Sequence, residues 1–226
     1  MDKNINEYFF IWLIQLLQES LGSKRKNLKL KTLYYYKEKF LPLWFNIDES
    51  DKIVLTMARM YFFEVFVAFY SAMRKINFVS QDYVEEYKRK MKEIKEKNDT
   101  DIPKEELFNI ICKIKENLKA RHKFIEVVLY CYPDRKILNK ISNIFNKEFK
   151  DRTVLVFTGS DWNHHSYQAA FLDKETLYVF LLPSDYISEV KGISYDSIKK
   201  NIDILKTIAK ASYISLKDKS LLFSFL

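Results

Sequence analysis

The stretch Asp151–Pro183 constrains this chain more than any other. It holds three short apolar runs, Thr153–Phe157, Ser166–Leu172 and Thr176–Leu182, separated by turn-forming clusters. The first and third runs are rich in Val, Thr, Phe and Tyr, the residues that fit a pleated, half-buried surface. Closely spaced strands joined by turns predict a β-meander. What precedes it reads as helical, and a helix follows.

The expected fold is therefore α+β. Residues 1–133 form a helical region. Residues 134–226 form a region built on the 153–182 meander, a three- to four-stranded, mainly antiparallel sheet flanked by helices. No low-complexity linker divides them, so both can share one core. Within the first region, a helix over 4–20 ends at Gly22, a C-terminal cap position. A second helix occupies about 51–74. From Met60 to Tyr70 every residue but Glu64 is apolar or aromatic, which predicts a helix buried on all sides. Glu64 would then be a buried carboxylate paired within the core, to Arg59 or a tyrosine. Ser80–Lys97 is densely charged with a thin stripe of Tyr83, Tyr87, Met91 and Ile94, the mark of a surface helix. Pro103 opens another helix that runs to about Lys119 or on to Tyr130, and Arg135–Lys150 is amphipathic at helical spacing. Ser220–Leu226 reads as a last strand or a helix tail.

Two apolar runs invite a membrane reading. Tyr8–Leu17 lacks a basic flank, having Asp2 and Glu7 instead, and is read as a buried first helix rather than a signal peptide. Ile53–Met73 contains Arg59 and Glu64, costly at mid-bilayer, and is read as a core helix; no membrane span is expected. Cys112 and Cys131 show no paired metal spacing and fit thiols of a reducing, cytoplasmic interior.

Only three of the 226 residues are glycine, which argues against a Gly-rich phosphate cradle. No Walker A loop, Gly-x-Ser-x-Gly elbow, His-Glu-x-x-His or Cys-x-x-Cys pair occurs. Net charge is +8, and its placement is uneven. Asp151–Leu226 has nine basic and nine acidic residues, whereas Lys24–Lys39 has seven basic residues and one acid, Glu38. That one segment carries +6. Lys24, Arg25, Lys26, Lys29 and Lys31 are followed by Tyr34, Tyr35 and Tyr36. Cations neutralise phosphates and aromatic rings stack on unpaired bases, so this interleaving suits a nucleic acid, or an acidic protein, as partner. The leading expectation is an intracellular, non-enzymatic binding or regulatory protein. A structural subunit of a larger assembly, with helix 8–17 as its interface, is an alternative.

Two further constellations carry possible chemistry. Asp161-Trp162-Asn163-His164-His165 gathers a carboxylate and two imidazoles, donors for a divalent metal, in what reads as a hairpin loop. The order of elements after Arg135, with Asp173 and then Glu189-Val190-Lys191 ahead of a helix, resembles the PD-(D/E)xK nuclease superfamily over roughly residues 134–226. That resemblance implies a metal-dependent nuclease, or a degenerate relative of one, with Mg2+ or Mn2+ held by Asp161 or Asp173 and by Glu189, Lys191 assisting the attacking water, and His164 or His165 assisting. The chain departs from the pattern where the strand after Asp173 reads Phe180-Leu181-Leu182-Pro183, without a charge.

Overall fold

A computed structural model describes residues 2–21, 52–77, 82–97, 99–131, 135–184 and 192–225. Among them are eight helices and five strands. In chain order they are α1 (Asp2–Leu21), α2 (Lys52–Met73), α3 (Asp82–Glu96), β1 (Lys104–Glu105), α4 (Leu107–Asn117), β2 (Phe124–Leu129), α5 (Arg135–Glu148), β3 (Thr153–Thr158), α6 (Gly159–His165), α7 (Tyr167–Leu172), β4 (Thr176–Pro183), α8 (Tyr195–Ser215) and β5 (Ser220–Phe225). The chain forms two compact units. A helical unit takes in the described residues of Met1–Gln81 with His165–Leu172, and a sheet unit those of Asp82–His164 with Asp173–Leu226.

The sheet unit overturns the expected antiparallel meander. Its five strands lie in the order β1-β5-β4-β2-β3, and every pairing is parallel. The class is α/β rather than α+β. Seventeen residues separate β3 from β4, too many for a tight hairpin and the length of a crossover. The middle run, Ser166–Leu172, is not a strand: Tyr167–Leu172 is α7, whose Gln-Ala-Ala-Phe-Leu are mostly good helix formers. Conversely, Phe124–Leu129 is β2 and not the end of a long helix. β1 and β2 thus bring residues from before 133 into the sheet.

The central strands explain why the sheet is parallel. β4 is buried from Thr176 to Leu182, and β2 from Ile125 to Leu129. Strands covered on both faces must be apolar almost throughout, which helices on either side of a parallel sheet make possible. One face, with Ile125, Val127 and Leu129 of β2, packs against Ile110 and Ile114 of α4 and Ile141 and Phe145 of α5. On the other face Trp162 of α6 lies 5.6 Å from the Tyr178 ring and 5.4 Å from Phe180, and α8 packs on β4 and β5. Connections β1-to-β2 and β2-to-β3 run one way across the sheet, and β3-to-β4 and β4-to-β5 run back. A single handedness of crossover puts helices of the first pair on one face and of the second pair on the other, and α4 and α5 lie opposite α6 and α8.

The helical unit rests on α1 against α2. Phe9 and Ile14 are buried and pack with Trp12, Leu13, Met60 and Phe63; the Phe9 and Phe63 rings lie 6.0 Å apart. α2 is not the all-round buried helix that its composition predicts. Val67 and Ser71 are buried, but Tyr61 is 70% exposed and Phe62 and Phe69 are each 62% exposed. Glu64 is exposed too, so it is not the buried core carboxylate expected.

Candidate functional site

In a sheet of this order, connections leave β2 and β4 in opposite directions. Ligands of doubly wound proteins bind at such a divergence, outside the carboxyl ends of the strands. Here the edge is built closely. Tyr130 follows β2 and Gly159 follows β3. A Cβ on Gly159 would lie 2.2 Å from Tyr130 Cδ1, so only glycine allows the two strand exits to approach this way. The Tyr130 hydroxyl donates to Asn163 Oδ1 at 2.5 Å. Asn163 Nδ2 donates to Ser212 Oγ at 2.7 Å, and Ser212 Oγ to the Ile208 carbonyl at 2.8 Å. All three side chains are buried. This relay ties β2, α6 and α8 together beneath the divergence. Sequence reasoning missed it, although Tyr130 and Gly159 each follow a β-rich run.

A second polar group crosses the other half of the same face. Glu126, in the middle of β2, accepts a 2.8 Å hydrogen bond at Oε2 from Trp162 Nε1. It stands in register with Tyr178 of β4. The Tyr178 hydroxyl donates to Asp173 Oδ2 at 3.1 Å. Burial pushes that hydroxyl's pKa well above the ordinary phenol value, and the charges of Asp173 and Glu126 push it further. Nearby, burial lowers the pKa of His122, helped by Arg121 and Lys119. Its Nδ1 accepts from the Lys119 N–H at 3.1 Å.

Of the candidate metal and catalytic residues singled out from sequence, Asp161, His164, His165 and Asp173 are among the described ones. Asp173 lies at the amino end of β4. Its Oδ1 accepts from the Glu175 N–H at 2.8 Å and its Oδ2 from Thr176 Oγ1 at 2.6 Å; its backbone carbonyl accepts from Lys219 Nζ at 2.6 Å. This is a turn that starts a strand. Glu189 and Lys191 lie outside the described residues. Among the described residues from Arg135 on, the element order is helix, strand, two short helices, strand, helix, strand.

Asp161, His164 and His165 lie on α6, not on a hairpin loop. Asp161 and His164, three apart on the helix, are exposed, whereas His165 is buried. Within the helical unit His165 Nδ1 lies 2.6 Å from Ser166 Oγ and 3.3 Å from Gln18 Oε1, and Ser166 Oγ donates to Gln18 Oε1 at 3.2 Å. All three are buried, so the cluster fastens α1 to α7 and offers no surface for a substrate. Among the described residues, no three His, Cys, Asp or Glu side chains gather as a metal-holding group. Lys24, Arg25, Lys26, Lys29, Lys31, Tyr34, Tyr35 and Tyr36 lie outside the described residues. Cys112 and Cys131 are both half-buried.

Fold and edge together define an α/β protein with a doubly wound parallel sheet. Comparison with known proteins finds no family model, no curated protein and no solved structure that matches this chain.

Proposed function

We propose that this is a non-enzymatic, cytoplasmic binding protein that contacts single-stranded nucleic acid through Lys24–Lys39. The observation that carries the reading is the concentration of +6, out of a net +8, in sixteen residues that also include three consecutive tyrosines. Lys24, Arg25, Lys26, Lys29 and Lys31 neutralise phosphates, and Tyr34, Tyr35 and Tyr36 offer rings on which unpaired bases stack. The sheet unit supports the reading indirectly, because Tyr130, Asn163, Ser212 and Asp173 spend their polar atoms on bonds inside the fold. The test is reversal of charge at three positions, Lys24→Glu, Arg25→Glu and Lys26→Glu. The triple variant should bind labelled single-stranded RNA at least about tenfold more weakly than the unaltered chain at moderate salt. Unchanged binding would remove the segment from the interface.

A further inference from the structure

β3 lies at one edge of the sheet and β1 at the other, and the two edges are built differently. β1 is only two residues, Lys104 and Glu105, and Glu105 is ion-paired to Lys113. Short length and charge keep an edge from pairing further. β3 is six residues, Thr-Val-Leu-Val-Phe-Thr, with neither a charge nor a proline. Its register with β2 runs unbroken from Thr153 to Thr158, so no bulge turns the strand away either.

The ladder says which backbone groups face outward. The Thr153 N–H donates to the Lys123 carbonyl at 3.1 Å. Alternate residues of a parallel strand bond the same neighbour, so Leu155 and Phe157 also turn their N–H and C=O to β2. Val154 and Val156 turn theirs the other way. Among the described residues, no strand or loop backbone meets those groups. Leu155, Val156 and Phe157 are half-buried, whereas β2 is buried from Ile125 to Leu129.

The edge is complementary to itself. Around a twofold axis at Leu155, an antiparallel copy sets Val154 against Val156, Thr153 against Phe157, and Leu155 against its own copy. Val154 and Val156 then form hydrogen-bonded pairs, because both present outward groups. A slip of one residue would set outward groups against ones already used by β2. Centring on Val156 would instead oppose Thr153 to Gly159, where α6 begins. Apolar β-branched and aromatic pairs of this kind stabilise a cross-strand contact. Nothing charged in Thr153–Thr158 would select a foreign peptide. Asp151–Leu226 holds nine basic and nine acidic residues, so two copies meet without net repulsion from this part of the chain. A twofold contact is also closed, so pairing stops at two chains.

We infer that β3 is a self-pairing edge, through which two copies of the chain join antiparallel about Leu155 into one continuous sheet. This goes beyond the nucleic-acid reading and does not depend on it.

The test is sedimentation equilibrium of the full-length chain from about 1 to 100 μM, a range that brackets micromolar self-association. At the top of it the unaltered chain should weigh about twice the 27.2 kDa of one copy. Leu155→Lys and Leu155→Glu each set like charges directly opposite one another. Each variant alone should self-associate at least about tenfold more weakly, and an equal mixture of the two should dimerise again. A role for Leu155 in folding alone would not produce that rescue. Val156→Pro removes an outward N–H and spares the bonds to β2; it too should be monomeric, with the circular dichroism of the unaltered chain. A monomeric unaltered chain at the highest concentration would overturn the inference and leave the edge to a foreign strand. Dimers of either charged variant alone, or a mixture that stays monomeric, would overturn it as well.

Discussion

Gly159 and Tyr130 show how a single position can fix an edge of this sheet. At Gly159 an added methyl meets the Tyr130 ring at 2.2 Å, and overpacking of this kind costs about 1–3 kcal/mol. Gly159→Ala should therefore lower the urea midpoint, and a rise would mean that the ring yields freely. Tyr178 makes a different prediction. Its folded pKa is raised by burial and then by Asp173 and Glu126, so above about pH 10, the unfolded value, the folded chain keeps a proton that the unfolded chain releases. Stability should hold below that pH and fall as pH rises beyond it. In Tyr178→Phe the alkaline fall should be shallower, and a parallel stability–pH curve for the two chains would contradict this. Little of this was legible in sequence. Nothing about Tyr130 or Glu126 taken singly says that its partner is Asn163 or Trp162, because those bonds depend on how the crossovers return.

At the scale of elements, composition located strands better than it joined them. The Val- and Phe-rich runs at 153–157 and 176–182 coincide with β3 and β4. Their partner is β2, hidden at the end of an apparent helix because no Gly or Pro stands between Asn117 and Phe124. Length was the neglected signal: a gap of seventeen residues between β3 and β4 suits a crossover better than a hairpin. α2 failed for a separate reason. Apolar composition on every side marks a helix that avoids water, and burial in the protein's own core is only one way to do so. α5 followed its pattern faithfully, and Phe145, on its inner side, is fully buried in the cluster beneath β2 and β4. Phe145→Ala should cost about 3–5 kcal/mol in chemical unfolding; a loss below 1 kcal/mol would mean that the cluster collapses around the gap.

For the molecule as a whole, charge and architecture divide along the chain. Asp151–Leu226, which supplies β3, β4 and β5, is neutral, and the excess lies in the residues before it. Within the sheet unit, Tyr130, Asn163 and Ser212 bond one another. The central claim is that Lys24–Lys39 makes several phosphate contacts at once, and counterion release measures that number directly. The decisive measurement is fluorescence anisotropy of labelled single-stranded RNA, single-stranded DNA and duplex DNA across a salt series. The account predicts preference for the single strands, with a log–log slope of about −4 or steeper. No binding at low salt, or binding indifferent to salt, would contradict it.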